Sequence, residues 1–470
     1  MSSAGAPDGT AIVIVGASLA GLSAAEALRA EGFAGRITVI GDEPHLPYDR
    51  PPLSKAVLTG RVPATHTMLP RKHTRAGVDW RLGVPAARLD VMGKRVHLAD
   101  GQTVPYDRVL IATGTRARPW HDADEASLDG VFVLRGLGDA ERLRARLASR
   151  PRRVLVIGGG FTGSEIASCC RELDLPVTLV ERAWAPLSGA LGATLGERAA
   201  ALQREHGVDL RCGVTVLALE GDGGGRLRRA RLSDGGAVDA DVAVVALGAL
   251  RNTEWLSGSG LAAGAAGIAC DAGCRAFADN LIVTDDVFVA GDVARFPHPL
   301  YRHQFLSLEH WGNAVEQASI AAHNMICSPT HRRPHLVVPA FWSSQFGVNI
   351  KSVGVPSAGD EVVIAQGSLE AERFVAVYGK DGRVVAAVTF DHGRWIEFYL
   401  RLIERAAPFP PEATIADAPA ERSPMPAAFP DPTSVRYEAT AILTGYDANE
   451  RRVHWIVPER RPPRRAEARP

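Results

Sequence analysis

The chain has 470 residues, of which 46% are hydrophobic, and its 53 basic residues are balanced by 53 acidic ones. That length predicts two or three domains with an ample hydrophobic core. The balanced charge argues against a nucleic-acid-binding protein and against a protein held electrostatically on a membrane surface.

The apolar segment 11–28 does not predict a membrane span, because Gly16, Gly21 and Glu26 interrupt it and no basic segment precedes it. The six cysteines include no Cys-x-x-Cys pair, so they indicate neither a redox dithiol nor a zinc site. We therefore expect a cytoplasmic protein with reduced thiols, no metal site and no membrane partner.

The first predicted motif is a strand, a glycine-rich turn and a helix. An apolar strand at 11–15 leads into GASLAG at 16–21 and then into an amphipathic helix. In this layout the N–H groups at the helix start bind a pyrophosphate, so Gly16, Ser18 and Gly21 are candidate cofactor-binding residues. Ser18 replaces the second glycine of the fingerprint. We expect the turn to tolerate serine, which is small and has a hydroxyl able to cap a helix.

The same motif recurs in the middle of the chain. A strand at 154–157 precedes GGGFTG at 158–163, which makes Gly158, Gly160 and Gly163 candidate contacts of a second dinucleotide. Two such turns predict two dinucleotides in one chain. The purpose that we infer for such a pair is electron transfer between them.

Each turn is followed by an acidic residue at the end of the next predicted strand. Glu43 follows Gly16, and Glu181 follows Gly158, at offsets near the roughly 20 residues typical of a carboxylate that binds a ribose diol. A carboxylate there repels a 2′-phosphate, so Glu181 predicts a preference for NADH over NADPH. The adjacent Arg182 weakens this inference.

The remaining elements alternate strands with small-residue turns and then change pattern. Three further strands are predicted to end in glycine-containing turns, at 108–114, 241–248 and 287–292. A helix is predicted at 314–325. Four short strands then predict an antiparallel sheet, at 341–346, 361–365, 374–378 and 384–389. A helix at 395–406 closes this part of the chain.

The last part of the chain has a different composition. Residues 407–432 are rich in proline and alanine and predict an extended arm or a linker. Beyond them, segments 435–443 and 452–457 predict a hairpin. The first of these segments alternates apolar residues, so we expect it to bury one face on the body of the protein or on a second subunit. Its apolar positions are Val435, Tyr437, Ala439, Ala441 and Leu443.

Several segments together resemble one family. Besides the two glycine turns, they are RPPLSK at 50–55, ATG at 112–114, AGDVA at 290–294, EHWGNA at 309–314 and FWSSQFG at 341–347. Over roughly residues 9–406 the chain resembles the FAD-dependent, NADH-linked ferredoxin reductases of oxygenase systems. RPPLSK and the AGD and EHW segments are much more specific than either glycine turn.

The resemblance implies a fold. It is an α/β protein with two Rossmann-like dinucleotide-binding domains of the glutathione-reductase type and a C-terminal α+β domain. The boundaries that we expect are 1–115 with 250–330 for a discontinuous FAD-binding domain, 116–249 for the NAD-binding domain, 331–406 for the C-terminal domain and 407–470 for the arm and hairpin.

The resemblance also implies roles for individual residues. Glu43 would bind the adenosine ribose of FAD, Arg50 would lie near the adenine and pyrophosphate, and Asp292 would accept a hydrogen bond from the ribityl chain. Lys55 and Glu165 would lie beside flavin N5 as the catalytic pair, with the lysine stabilising negative charge on reduced flavin.

Further residues, most of them in the matching segments, are expected to bind the cofactors. They are Ala112, Thr113, Gly114, Gly248, Gly291, Glu309, His310, Trp311 and Trp342. For the two tryptophans, ordinary aromatic core is an equally good interpretation. The chain departs from the family at Ser344, where an aspartate is usual, and this puts the local hydrogen bonding in doubt.

The implied activity is electron transfer from NADH through FAD to a [2Fe–2S] ferredoxin, which serves an oxygenase such as a cytochrome P450 or a dioxygenase. One alternative is a tailoring oxidoreductase or monooxygenase that acts directly on a small molecule. Another is a binding protein like apoptosis-inducing factor. A disulfide reductase would need an early cysteine, and the first here is Cys169. We expect a monomer or a homodimer.

Overall fold

The computed structural model describes residues 9–72, 77–411, 440–444 and 452–456. Seven α-helices lie in these ranges. They are α1 (Leu19–Ala30), α2 (Ala123–Ala126), α3 (Leu137–Ala148), α4 (Phe161–Glu172), α5 (Ser188–Glu205), α6 (Trp311–Ile326) and α7 (Ile396–Glu404). None of the helices in the described ranges is long and apolar enough to cross a membrane.

The strands are numbered in chain order. The first group is β1 (Ala11–Val15), β2 (Arg36–Gly41), β3 (Val78–Leu82), β4 (Ala86–Asp90), β5 (Arg95–Leu98), β6 (Thr103–Pro105), β7 (Arg108–Ile111), β8 (Thr115–Ala117) and β9 (Val131–Val133). The second is β10 (Val154–Ile157), β11 (Val177–Glu181), β12 (Asp209–Cys212), β13 (Val216–Gly221), β14 (Leu227–Leu232), β15 (Ala237–Asp239), β16 (Val242–Val245) and β17 (Ala249–Arg251).

Two further groups complete the chain. The third is β18 (Ala263–Gly264), β19 (Gly267–Ala269), β20 (Arg275–Phe277), β21 (Val283–Val289), β22 (Ala294–His298) and β23 (Gln304–Leu306). The fourth is β24 (Ala340–Gln345), β25 (Val348–Gly354), β26 (Glu361–Ser368), β27 (Arg373–Lys380), β28 (Arg383–Phe390), β29 (Thr440–Thr444) and β30 (Arg452–Ile456).

The first large sheet is mostly parallel and has the strand order β20-β21-β7-β1-β2-β3. Its central strand, β1, is buried along its whole length because both faces of the sheet are covered. On one face, Ile12 and Ile14 pack in a cluster with α1 and α6. On the other, Val13 and Val15 pack with residues of β5 and β22. The sheet also brings together strands that are distant in sequence, because β21 pairs with β7.

The second sheet repeats this plan with the order β12-β11-β10-β16-β9, and all of its ladders are parallel. Helices α3 and α4 cover one face, where Leu143 and Ile166 pack on β10. The small antiparallel sheet β13-β14-β15 covers the other face. In both parallel sheets a glycine-rich turn follows the central strand, so both turns lie at the carboxyl ends of parallel strands, where ligands of such sheets bind.

The third sheet is antiparallel, with the order β24-β25-β28-β27-β26. Helix α7 packs on one face through Tyr399 and Ile403, and α5 packs on the other through Leu191 and Leu195. The sequence predicted four of its strands and missed β25. That strand carries polar residues, yet it pairs on both sides, and Ser352 within it is buried.

The segment from residue 415 onward forms a separate unit. Its described part consists of β29 and β30, which pair antiparallel with Ile442 opposite His454. Both strands lie in the segments for which the sequence predicts a hairpin. Val435, Tyr437 and Ala439 fall outside the described residues, so burial of that face stays a prediction.

Candidate functional site

A cavity of about 690 Å³ opens at the carboxyl ends of the first parallel sheet. Most of the residues expected to bind FAD line it. They are Gly16, Ser18, Glu43, Arg50, Lys55, Ala112, Thr113, Gly114, Glu165, Gly291, Asp292, Glu309, His310, Trp311 and Trp342. The other candidates do not line this cavity: Gly21, Gly158, Gly160, Gly163, Glu181 and Gly248.

The two glycine-rich turns have matching geometry. Gly16 has φ +124°, and a Cβ there would lie 2.1 Å from the carbonyl oxygen of Ala112. Gly158 has φ +106°, and its Cβ would lie 2.5 Å from the carbonyl oxygen of Ala246. Each turn therefore needs glycine at its first position, because the backbone has positive φ and lies against the residue that follows the neighbouring strand of the sheet, β7 or β16. Ser18 is the N-cap residue of α1, where a glycine is not required.

The last glycine of each turn lets the helix approach the turn closely. A Cβ at Gly21 or at Gly163 would lie 1.9 Å from the carbonyl oxygen of the first glycine of its own turn. These two glycines therefore serve packing of the helix on the turn rather than contact with a ligand. Gly160, by contrast, has open space at its Cβ position.

Glu43 lies just after β2 and is held by two side chains. Its carboxylate accepts hydrogen bonds from the Tyr48 hydroxyl at 2.5 Å and from Arg50 Nη2 at 2.5 Å. Burial raises the pKa of Glu43, but the charge of Arg50 and the hydrogen bond from Tyr48 outweigh it and hold the pKa below its usual value. The cavity therefore has a fixed carboxylate at the end of β2.

Asp292 is held in a similar way at the opposite side of the same sheet. Its Oδ2 accepts hydrogen bonds from Arg135 Nη2 at 2.7 Å and from the Thr115 hydroxyl at 3.3 Å. The preceding Gly291 N–H donates to Oε1 of the buried Gln317 at 2.9 Å. The sequence interpretation missed Arg135 and Gln317. The available signal for Arg135 was its place directly after a parallel strand, β9.

Lys55 and Glu165 form an ion pair at the cavity, with Lys55 Nζ 2.8 Å from Glu165 Oε2. Glu165 is only 6% exposed. Two hydroxyl groups also donate to its carboxylate, from Ser54 to Oε2 at 2.5 Å and from Ser343 to Oε1 at 2.6 Å. The tertiary structure thus joins the RPPLSK segment, α4 and β24 at one carboxylate, and neither serine was singled out from the sequence.

Two tryptophans border the cavity beside this pair. The rings of Trp311 and Trp342 are 6.4 Å apart, and neither side chain is fully buried. The Trp311 indole N–H donates to Asp49 Oδ1 at 2.9 Å. Burial raises the pKa of Asp49. Both tryptophans line the cavity, a position from which they could contact a bound flavin, and that role stays a prediction.

Glu309 and His310, the two residues that precede α6 in the chain, also line the cavity. Glu309 pairs with Arg251 at 2.8 Å. Burial lowers the pKa of His310, so its imidazole is neutral at pH 7. Its Nδ1 is buried and has no hydrogen-bond partner among the described residues. An atom of this kind suits a ligand that supplies a hydrogen bond.

The second turn has its own carboxylate. Glu181 Oε2 accepts from the Gly159 N–H at 2.5 Å, and Oε1 accepts from the Ala183 N–H at 2.6 Å. The carboxylate is therefore fixed beside the turn, where a coenzyme ribose is expected. Gly248 follows β16 with φ +84° and open space around it.

The departure at Ser344 does not disturb the ion pair. Ser344 is opposite Asn349 in the β24–β25 ladder and is partly exposed. The hydroxyl that reaches Glu165 belongs to its neighbour, Ser343. An aspartate is therefore not needed at 344 to hold Glu165.

The residues of the cavity fit FAD. They combine the start of α1, a carboxylate after β2, a lysine paired with a buried glutamate, and two tryptophan rings. They do not fit a disulfide reductase, since no cysteine is among the lining residues. The cysteine closest in sequence to the lining residue Glu165 is Cys169. It is buried, which raises the pKa of its thiol, and its Sγ donates to the Ser54 carbonyl at 3.1 Å.

Comparison with known proteins gives two family matches. Residues 10–318 match the pyridine nucleotide-disulphide oxidoreductase family, and residues 340–422 match the reductase C-terminal family. The first match covers both parallel sheets and all of the cavity-lining residues except Trp342. The second begins at β24.

Individual relatives agree with these matches. A probable ferredoxin reductase of Castellaniella defragrans is 37% identical over 81% of this chain and 90% of its own length. The ferredoxin–NAD(+) reductase component of the biphenyl dioxygenase system of Paraburkholderia xenovorans is 36% identical over 83% and 92%. A solved covalent complex of putidaredoxin reductase with putidaredoxin matches with a TM-score of 0.79 and 30% identity, over 86% of this chain and 94% of that one.

Proposed function

We infer the function from one premise: the chain belongs to the pyridine nucleotide-disulphide oxidoreductase family, among its ferredoxin reductases. It passes electrons from NADH through FAD to a [2Fe–2S] ferredoxin that serves an oxygenase, either a dioxygenase or a cytochrome P450. The relatives are reductase components of such systems, which favours this function over direct action on a small molecule. We propose a cytoplasmic location because the six cysteines are not paired in disulfides.

The observation that carries the proposal is the Lys55–Glu165 pair, placed at the FAD cavity beside Trp311 and Trp342. When bound, FAD supplies the redox chemistry, because it accepts two electrons as hydride from NADH and releases them singly. The protein contributes binding, orientation and electrostatics. No side chain is needed as a covalent nucleophile.

We assign the adenosine part and the ribityl part of FAD to the two carboxylates of the cavity, Glu43 and Asp292. Glu43 accepts hydrogen bonds from the adenosine ribose, and Asp292 accepts one from the ribityl chain. The free N–H groups at the start of α1 hold the pyrophosphate, helped by the dipole of the helix. Arg50, which orients Glu43 and also donates to Ser18 Oγ at 3.4 Å, lies beside this pyrophosphate.

We assign NADH to the second turn. The start of α4 holds its pyrophosphate, and Glu181 accepts from the adenosine ribose. The same helix carries Glu165 one turn further on, so the coenzyme and the ion pair share one rigid element. Trp311 and Trp342 border the isoalloxazine.

In this arrangement Lys55 is a fixed positive charge that stabilises negative charge arriving at the flavin. Glu165 orients the ammonium and keeps it from turning toward solvent. Because Glu165 is buried, the pair is stable only as long as its carboxylate keeps its hydrogen-bond donors. Lys55 and Glu165 are thus the residues that we place in catalysis.

The test is stopped-flow reduction of the bound flavin by NADH in Lys55→Ala. Loss of one such charge typically costs about 2–4 kcal/mol, so the rate should fall about 30- to 900-fold while FAD stays bound. Lys380→Ala is the matched control, because Lys380 pairs with Asp360 on the surface of the third sheet. Reduction of Lys55→Ala at the native rate would contradict the assignment. The function itself is tested by NADH-dependent reduction of cytochrome c with and without a [2Fe–2S] ferredoxin. A rate that the ferredoxin does not increase would contradict the function.

A further inference from the structure

One face of α4 makes hydrogen bonds to the RPPLSK segment on one side and to the third sheet on the other. Glu165, Ser168 and Cys169 lie at spacings of three and four residues, which place them on the same side of the helix. Ser168 Oγ accepts from the Phe346 N–H at 2.7 Å, and Cys169 Sγ donates to the Ser54 carbonyl. The third sheet therefore contacts the helix at the level of the ion pair.

The two oxygens of Glu165 have different partners. Oε2 faces Lys55 and Ser54, while Oε1 accepts from Ser343 on β24. A carboxylate bonded through one oxygen alone can rotate about its terminal torsion, which has broad preferences. With the second oxygen bonded to the third sheet, the plane of the carboxylate is fixed, and the Lys55 ammonium is fixed with it.

The direction of the Ser343 hydroxyl is itself determined. Gln345 Nε2 lies 3.0 Å from Ser343 Oγ, and both residues are 1% exposed. The carboxylate of Glu165 can only accept, so the Ser343 proton is donated to it, and the serine oxygen accepts from the amide of Gln345. Residues 343 and 345 point to the same side of β24 because side chains alternate along a strand. The order of donation is Gln345 to Ser343 to Glu165.

We propose that Ser343 is a positioning residue for the reaction: through Glu165 it sets the place of Lys55 beside the flavin, so the third sheet takes part in flavin reduction. Gln345 supports it by fixing the direction of the hydroxyl. This proposal rests on the proposed function of Lys55. It assigns to the C-terminal part of the chain a role beyond packing.

The experiment compares Ser343→Ala with Ser343→Thr, which keeps a hydroxyl, in the full-length holoprotein. Ser352→Ala is the matched control, because Ser352 is also 1% exposed, lies on the adjacent strand β25, and has no hydrogen-bond partner for its hydroxyl among the described residues. Lys55→Ala is measured alongside. The readouts are FAD affinity of the apoprotein, the midpoint potential of the bound flavin, and its rate of reduction by NADH.

For Ser343→Ala we expect native FAD affinity, a lower midpoint potential and reduction about tenfold slower, the order of one hydrogen bond to a charged group. Ser343→Thr should recover most of the rate, and Ser352→Ala should match the native protein. If Ser343→Ala does not fold, Gln345→Leu provides a milder test, with a smaller change in the same direction.

Failure of the positioning role of Ser343 can be distinguished from failure of the role of Lys55. A native potential and rate in Ser343→Ala, with a slow Lys55→Ala, would overturn the positioning role while leaving the role of Lys55 intact. A native Lys55→Ala would overturn both. A Ser352→Ala protein as slow as Ser343→Ala would show that loss of any buried serine has this effect, and would also overturn the proposal.

Discussion

Arg135 Nη2 lies 2.7 Å from Asp292 Oδ2, an ion pair between the end of β9 in the second parallel sheet and the turn after β21 in the first. Arg135 also donates to the Thr115 carbonyl at 3.2 Å. The carboxylate that we assign to the ribityl chain of FAD is therefore oriented by the other parallel sheet.

This pair predicts that Arg135→Leu weakens FAD binding. Without its partner the Asp292 carboxylate, 15% exposed, loses its orientation and a charged hydrogen bond. We expect a loss of about tenfold in FAD affinity, measured by fluorescence titration of the apoprotein. Arg152→Leu is the control, because its side chain is 87% exposed and binds Asp241 elsewhere. Equal affinity in the two variants would contradict the role of Arg135.

The flavin extracted from the native protein is predicted to be FAD rather than FMN. Glu43 is held by Tyr48 and Arg50 as an ionised acceptor for an adenosine ribose, which FMN lacks. Chromatography of the released flavin identifies it. Recovery of FMN, or Glu43→Gln with undiminished affinity for FAD, would count against this assignment.

NADH should be preferred to NADPH because of the charge on Glu181. A fixed carboxylate facing a 2′-phosphate costs about 1–3 kcal/mol, so kcat/KM should differ about 5- to 150-fold. Glu181→Gln keeps the size of the side chain and removes its charge, so the difference in kcat/KM should narrow. Its single amide oxygen can accept from only one of the two N–H groups, those of Gly159 and Ala183. Glu205→Gln, on the surface of α5, is the control. Equal kcat/KM for both coenzymes in the native protein would show that Glu181 does not select.

Stability of the apoprotein should fall as the pH is lowered from 7 to 5. His335 is 1% exposed, and burial together with the nearby His298 lowers its pKa from 6.5 to about 4. A depressed pKa contributes stability that is present above 6.5 and is lost as the pH falls toward 4, because the unfolded chain takes up the proton first. From this shift we expect a loss of about 2 kcal/mol at pH 5.

The measurement is urea unfolding at pH 7 and pH 5 in the native protein and in His335→Gln. The variant loses its hydrogen bond to Asn313 and is less stable at pH 7, but its stability should change less between the two pH values. His66→Gln replaces an exposed histidine and serves as the control. An unchanged pH dependence in His335→Gln would refute the attribution.

Removal of the tail should leave the flavin in place. The domain boundary expected from the sequence follows residue 406, but the next residues pair with the third sheet: the Val384 N–H donates to the Ala407 carbonyl, and the Phe409 N–H donates to the Gly382 carbonyl. A cut after Pro411 keeps these contacts. We expect native flavin content, with a change in ferredoxin-linked rate or in molecular mass in solution. A truncated protein identical to the full chain in both would make the tail dispensable.

Much of this protein was determined by local sequence. The turns at Gly16 and Gly158 follow from strands that are apolar throughout and from glycines that their backbones require. Glu43 and Glu181 follow from their offsets from those turns. Such features involve residues close in sequence, so their patterns are visible without a fold.

The tertiary structure alone decided which distant residues meet. Ser343 meets Glu165, and Arg135 meets Asp292, only because distant parts of the chain pack together. The place of Arg135 after β9 does not show which carboxylate it contacts, and Gln345 has its role only through Ser343. Strand β25 was hidden for a related reason. It pairs with β24 and β28, and Ile350 and Val353 are buried in the clusters on the two faces of the sheet, neither of which its own polar composition indicates. Hydrogen bonds between sheets depend on how the sheets pack, and the packing is a property of the whole fold.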